Sequence, residues 1–521
     1  MAHHRGDPPP MGYDMRKWLP LTAICCGTFM LLIDVTVVNV ALPSMARSLH
    51  TSFAALQWVV DAYALSLSAL LLGVGSVADK LGHRRAYVTS LGVFAAASLA
   101  CGLAPTAGVL IAARAAQGVG AAGMFACTYA LLSASYQGRD RGVAYGMWGA
   151  VVGASAAIGP VIGGLLTQGL TWRWIFFINL PVSAVAIVLS QRVLSGERHG
   201  KDQRIDLLGM ALFTVAAGAL TFGLIRANDD GWLSATVIGL GVVSAIALVL
   251  FVLVESRTAG GMLDLTLLRH RAFVGILIGS LLANFAAFAS FAYTSLWLQS
   301  VLGLSPIQAG LTGLPLSVAS FTVSAGIGRF LHSRPPGPII GTGVLLIGIG
   351  AGTCALQIGP TSSWPSLMLG FVLIGIGVGL STPTLSSAAM ATVPLWRGGM
   401  AAGAVTTMRQ LGFTLGVAVL GTLFATRARQ SLTDAGVPDA HRTAHSLTSG
   451  QAAELLGRAG ASRPALETAL RTASAAGIDL VFWVSAAGGL LGGLAVFLLV
   501  RQRPAGQSTP EVQPDAAAAP A

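Results

Sequence analysis

The chain has 521 residues, of which 54% are hydrophobic and 10% charged, with a formal net charge of +11 and a mean hydropathy of +0.73. A soluble domain carries roughly 25% charged residues, so these charges cannot coat a water-borne globule, and soluble catalytic domains are excluded. The chain must reside in lipid, where about 20 apolar residues make one helical crossing.

Taken in chain order, hydropathy windows predict about fourteen crossings. Six lie near 18–43, 54–77, 86–104, 107–134, 142–167 and 174–192. A pair follows near 206–226 and 232–254, and six more lie near 272–299, 305–329, 337–357, 364–393, 399–424 and 478–500. The expected organisation is a tail (1–17), a first six-helix bundle (18–195), a linker with an extra helix pair (196–257), a second bundle (258–500) with an external loop at 425–477, and a tail (501–521). Arg16 and Lys17 precede the first apolar run as they would in a signal peptide, but that run is too long for one, and many more follow. It reads as a retained helix.

Charge distribution orients this array. If the N-terminus is inside, twenty of the 31 Lys and Arg fall on inner segments, against Arg47, Arg173 and Arg226 on short outer loops. Six more lie in the 425–477 stretch, and Arg114 and Arg409 lie inside apolar runs. The positive-inside rule then places both termini in the cytoplasm. The basic residues are scattered, so no nucleic-acid partner is expected.

Several chemistries are disfavoured. All five cysteines (Cys25, Cys26, Cys101, Cys127 and Cys354) fall in apolar runs without metal or disulfide spacing, and read as packing residues. Lys17, Lys80 and Lys201 precede Trp, Leu and Asp, so no Walker A loop and no ATP site can form. Gly118, Gly120 and Gly123 spell a dinucleotide fingerprint, but within an apolar helix with no preceding strand, where close packing is the expected role. No histidine falls in a predicted crossing, which argues against a metal site or a histidine proton relay. His3 and His4 read as tail. No cofactor and no enzymatic activity are expected.

Five stretches carry a family resemblance. The loop after the second crossing reads GSVADKLGHRR, Gly75 to Arg85, and resembles the G-x-L-a-D-R-x-G-R-[RK] signature of the major facilitator superfamily, with Val77 and His83 departing from it. Gly75 lets helices approach, Gly82 belongs to the same conformational loop, Asp79 can accept backbone N–H groups at the turn, and Lys80, Arg84 and Arg85 offer charge to the neighbouring loop that holds Asp140. The equivalent loop from Gly326 lacks the Asp, so a conformational latch is expected mainly in the first half. The fifth crossing carries Gly146, Ser155, Gly159, Pro160, Gly163 and Gly164, similar to the antiporter motif of the superfamily's exporters with Ser155 at one glycine position. Small residues permit close helix contact and proline bends a helix. LLIDVTVVNVALP (Leu31 to Pro43), WVVDAYALSLSALL and WRWIFFINLP resemble the fourteen-helix drug:proton antiporters, which include quaternary-ammonium multidrug exporters and antibiotic self-resistance exporters. The resemblance implies an all-α polytopic membrane protein of the major facilitator fold, two six-helix bundles plus two helices.

An ionisable group within the hydrocarbon is costly and so is a functional candidate. Asp34 lies about 16 residues, or roughly 24 Å, into a helix starting inside, and Asp61 and Arg114 lie roughly 10 Å in from the outer starts of theirs. All three share a depth. Two carboxylates near one guanidinium leave one Asp free to bind a proton, and the expected division pairs Asp61 with Arg114 while Asp34 exchanges protons with water. Met124, Phe125, Tyr129, Asn284, Phe285, Phe288, Trp297 and Arg409 are candidates for a substrate cavity. Asp479, at the start of the last crossing, reads as structural.

The function expected is proton-coupled export of hydrophobic or cationic drugs or antibiotics across a bacterial plasma membrane by a monomer, its partners being small molecules, protons and lipid. The alternative is a proton-coupled or facilitative transporter of a small metabolite on the same fold. A membrane receptor or scaffold would leave the buried charges without a task.

Overall fold

The computed structural model describes residues 15–51, 53–195, 206–258, 262–330, 334–393, 397–448, 455–456 and 463–500. The expected tail residues His3, His4, Arg5, Arg501 and Arg503, and Arg198, Lys201 and Arg204 of the linker, lie outside the described residues, as do the side chains of Asn39, Arg47 and Pro160.

Among the described residues every regular element is helical, and thirteen helices are long and apolar enough to cross a membrane. The first group is α1 (Leu19–Leu49), α2 (Phe53–Leu81), α3 (His83–Leu103), α4 (Ala107–Ser135), α5 (Gly138–Gly169) and α6 (Asn179–Val193). The pair is α7 (Leu207–Asp230) and α8 (Ala235–Arg257). The last group is α9 (Arg271–Asn284), α10 (Leu314–Phe330), α11 (Pro336–Gln357), α12 (Met368–Ala391), α13 (Gly398–Asp434) and α14 (Arg463–Leu499). α5 is not one of the thirteen, yet its 32 residues run ~48 Å at 1.5 Å per residue. It packs between α1 and α10 and completes the array.

Each group has its own aromatic core, the first joined by Met390, Val393, Met400, Ala401 and Ala402 of the second. Tyr87, Phe94, Tyr129, Tyr145 and Trp148 fill the first, and Phe371, Phe424, Phe482, Ile340 and Val344 fill the second. α2 meets α13 and α5 meets α10 between them. The five cysteines are free, with Cys101, Cys127 and Cys354 buried in this packing. The extra pair lies outside: α7 packs on α2 and α13, and α8 on α7. α8 exposes Ile238, Val242, Ile246, Val249 and Leu253, an apolar surface suited to lipid. The hairpin is pinned to both bundles, by a 3.2 Å hydrogen bond between the hydroxyls of Ser68 and Thr221 and by Trp232 Nε1 donating to Thr422 Oγ1 at 2.7 Å.

Hydropathy windows misplace several ends. α13 runs to Asp434, ten residues beyond the expected end at 424, and α14 begins at Arg463 rather than 478. The expected loop at 425–477 therefore contains two helical stems, with a short helix Ala440–Thr448 between them. Ala428, Leu432, Ala444, Leu447, Leu470 and Ala473 are buried there. The interspersed arginines lower the window mean, while the apolar face goes on packing. Within the expected crossing at 272–299, α9 is continued by a π-helical turn, Phe285–Ala289, and then by Ser290–Ser300. The next crossing starts as Pro306–Leu311, with Ser305 and Gln308 forming a reciprocal N-terminal cap, and resumes as α10.

Candidate functional site

The charged centre belongs to the first bundle. Asp34 of α1 and Arg114 of α4 are each 1% exposed, and Arg114 Nη1 donates to Asp34 Oδ2 at 2.5 Å. Gln117 Nε2 and Asn179 Nδ2 both donate to Asp34 Oδ1 at 2.9 Å. Gln117 Oε1 accepts from Arg114 at 2.7 Å, and Ser98 of α3 accepts from both amides at 2.9 and 3.4 Å. Arg114 also donates to the Val59 carbonyl at 3.0 Å and stacks 4.2 Å over the Tyr63 ring. A buried charge persists only when paired and hydrogen-bonded, and here every oxygen of Asp34 has partners.

This corrects the expected pairing. Arg114 is held by Asp34, not by Asp61, and Asp34 is enclosed rather than bathed in water, whereas Asp61 is half-buried on α2. Depth along each helix was right, but depth does not say which face of α2 a carboxylate occupies. Gln117, Asn179 and Ser98 were missed. Gln117 stands three residues after Arg114, on the same helical face, and Asn179 lies within the WRWIFFINLP motif, so both carried a readable signal.

The latch forms where α2 turns into α3. Gly82, with φ of 91°, joins the two helices by a single residue. Asp79 does accept backbone N–H groups, but from the opposite bundle: Gly399 N at 2.7 Å and Met400 N at 2.9 Å, at the start of α13. A carboxylate there caps orphan donors and complements the helix dipole. Gly75 and Gly399 touch backbone to backbone, so a Cβ on Gly75 would stand 2.6 Å from the Gly399 carbonyl oxygen. His83 Nε2 lies 3.3 Å from Asp79. The basic residues behave differently from expectation: Asp140 pairs with Lys17 at 2.7 Å, while Arg84 donates to the Leu194 carbonyl at 3.3 Å, Lys80 is half-buried and Arg85 is exposed. Lys17 reaches Asp140 because Tyr136, at the end of α4, holds the first turn of α1 by accepting from Leu21 N and donating to Lys17 O.

α5 is the strut between bundles. A Cβ on Gly159 would overlap Thr36 Oγ1, and one on Gly163 would stand 3.2 Å from Val37 Cα, both on α1. Across the gap, Gly149 and Gly153 face Ser324 and Ser320 of α10, and Gly164 faces Ile307. Gly146 is buried, and Ser155 is buried with its hydroxyl bonded back to Val151 O at 2.7 Å. The Gly118, Gly120 and Gly123 run on α4 is close helix packing: added Cβ atoms would strike α2 and α3 at Tyr63, Phe94 and Ser90.

The cavity candidates separate. Arg409 Nη1 donates to Tyr129 OH across the bundle gap at 2.6 Å and lies 5.9 Å from the Trp148 ring. Met124, Phe285 and Trp297 are buried within the bundle cores, Phe125 and Phe288 pack against those cores, and Asn284 donates to Ser280 O at 2.9 Å. A cavity of about 310 Å³ opens between the bundles near Arg141, Tyr145, Arg334 and Pro383. No His, Cys, Asp and Glu cluster suited to a metal occurs among the described residues.

Two helical bundles meeting through α2, α5, α10 and α13, with a buried ion pair in one of them, define a membrane transporter. Residues 24–417 match the family model described as Major Facilitator Superfamily, and the chain belongs to that superfamily. Multidrug resistance protein Stp of Mycobacterium tuberculosis (strain CDC 1551 / Oshkosh) is 35% identical over 415 residues, covering 78% of this chain and 76% of that protein. The puromycin resistance protein pur8 of Streptomyces alboniger is 35% identical over 436 residues, covering 82% and 86%. The tetracenomycin C resistance and export protein of Streptomyces glaucescens is 32% identical over 427 residues, covering 80% and 78%. The solved proton:xylose symporter XylE shares the fold, with a TM-score of 0.62 at 11% identity over 94% of this chain and 97% of that one.

Proposed function

We propose that this multi-pass membrane protein of bacterial type is a proton-coupled antiporter that exports hydrophobic or cationic drugs or antibiotics. The observation that carries the reading is the enclosed Asp34–Arg114 pair two residues from the α1–α5 seam, in a chain whose relatives are named as resistance and export proteins. A proton on Asp34 removes the ion pair that ties α1 to α4 and leaves Arg114 to Gln117 and the Val59 carbonyl. Thr36, which abuts Gly159, then carries the shift of α1 into α5, and α5 passes it to Ser320 and Ser324 of α10. Asp79 holds the α2–α3 end closed onto α13 until the strut moves. The glycine contacts form a contiguous packed route along which coupling of this kind can run.

Energetically, a proton driving force of about 150 mV supplies ~3.5 kcal/mol per proton, enough for a drug gradient of roughly 300-fold at one-to-one coupling. Uptake of radiolabelled puromycin, of ethidium and of the anionic dye fluorescein into inverted vesicles, with and without an acid-inside gradient, tests the reading. Accumulation that collapses with the gradient supports it. Equilibration that ignores pH favours a facilitator.

A further inference from the structure

Arg409 stands out among the membrane-embedded charges. It lies on α13, 11 residues after Gly398, which at 1.5 Å per residue is ~17 Å up the helix, close to the middle of a bilayer. The side chain is half-buried between the bundles. No carboxylate lies within ion-pair distance of it among the described residues. Asp34 is committed to Arg114, and Asp79 to the N–H groups of Gly399 and Met400. A guanidinium has five N–H donors and no acceptor, and among the described residues one of the five is used, on Tyr129 OH. One turn away on the same helical face, Thr406 is 4% exposed and its hydroxyl has no hydrogen-bond partner.

The neighbours explain how the charge is presented. Tyr129 is fixed by Trp148, edge-on at 5.0 Å, and its carbonyl accepts from Tyr145 OH at 3.0 Å. Trp148 is itself fixed by donating to Thr28 at 3.1 Å. The first bundle therefore offers Arg409 a rigid neutral wall and no counter-charge. A donor-rich site of this kind in low dielectric is incomplete until something brings acceptors, and a lipophilic cation would meet an unneutralised positive charge there.

Resting on the exporter reading above, and replacing its cationic substrates while keeping export itself, we infer that the exported molecule presents an anionic oxygen group, a carboxylate, phenolate or ionised enol, to Arg409 and Thr406. Two xanthene dyes of opposite charge test this on the purified full-length protein: fluorescein, anionic at pH 7.4, and rhodamine 123, cationic on the same ring system. Fluorescence anisotropy is expected to give fluorescein at least about tenfold tighter binding. Arg409→Gln should abolish that preference and Arg409→Lys should retain part of it, with the thermal unfolding of each variant showing that it is folded. Equal or tighter binding of rhodamine 123, no binding of fluorescein, or fluorescein binding unchanged in Arg409→Gln overturns the inference. Transport in proteoliposomes separates it from the reading on which it rests. Gradient-driven movement of rhodamine 123 but not fluorescein leaves export standing and removes the charge assignment. Arg409-dependent fluorescein binding without gradient-driven movement does the reverse.

Discussion

Replacing Asp34 by Asn is the most direct perturbation of the charged centre. The substitution keeps the shape of the side chain and one acceptor oxygen, but removes the anion from a pair in which both members are 1% exposed. Arg114 would keep Gln117 and the Val59 carbonyl as partners, neither of which neutralises it, and an uncompensated buried charge costs about 3–5 kcal/mol. The introduced amide would also point an N–H₂ group at either the guanidinium or the amides of Gln117 and Asn179, all of them donors. Stability should therefore fall by two to nearly four decades in the folded to unfolded ratio, at roughly 1.4 kcal/mol per decade. Asp34→Asn combined with Arg114→Gln removes both charges and should recover much of the loss. Thermal unfolding of detergent-purified wild type, both single variants and the double variant, analysed as a double-mutant cycle, gives the coupling energy directly. Gradient-driven transport should be lost in all three variants. If Asp34→Asn is as stable as wild type, or if the double variant is no more stable than the single one, the ion pair is not the organising interaction. If Asp34→Asn transports normally and Asp61→Asn uncouples cleanly, proton carriage belongs to Asp61.

Other perturbations address the contacts between helices. Gly159→Leu drives a branched side chain into Thr36 while leaving the segment hydrophobic enough to insert, so membrane levels should hold and export should vanish; normal export at normal levels would reduce this contact to ordinary packing. Asp79→Ala frees two N–H groups at the start of α13, which costs about 0.5–2 kcal/mol only in the arrangement where the bundles touch there, so spin labels at Lys80 and Arg397 should report a longer mean distance than in wild type. Asp264 lies outside the crossings and caps the turn Leu265–Arg269; the Thr266 hydroxyl and N–H, with Arg397 beside them, hold its carboxyl below the ordinary range. A lowered folded value means its contribution is complete above the ordinary carboxylate pKa and is lost as pH falls through the lowered one. The stability gap between wild type and Asp264→Asn should therefore stay flat from neutral pH to about 4 and close below it, whereas a gap that closes nearer neutrality contradicts the sign.

The crossings were legible because lipid demands apolar runs of fixed length, and the motif residues because their types are unusual there. Gly159 and Gly163 read as contact residues from their small size and their resemblance to the antiporter motif, and Asp79 read as an acceptor of backbone N–H groups from its place in the loop signature. That Asp79 accepts across the bundle interface, 320 residues away in sequence, has no local signature. The partner of Arg114 was misread for a related reason: helical depth follows from counting residues, whereas azimuth depends on how α1, α2 and α4 are rotated against one another. The stems at 425–477 were hidden because a window average merges an apolar face with the arginines opposite it. Met124, Phe285 and Trp297 were proposed as cavity residues by type, and in a membrane protein an aromatic or Met has the same composition signal in a bundle core as in a binding site.

Among the described residues, hydrogen bonds tie the α7–α8 hairpin to both bundles, Thr221 to Ser68 of α2 and Trp232 to Thr422 of α13. α2 and α13 are also the helices that meet at the Asp79 latch. A rocking motion that separates their ends at the latch must either keep both anchors or break one. Thr221 and Trp232 are only 11 residues apart, and Gly231 bridges them with φ of 85°, so there is little chain to pay out between the two attachments. A hairpin that kept both anchors through the transport cycle would limit how far the bundles can part, and cutting one of them with Trp232→Phe should then widen the opening without altering the charged centre.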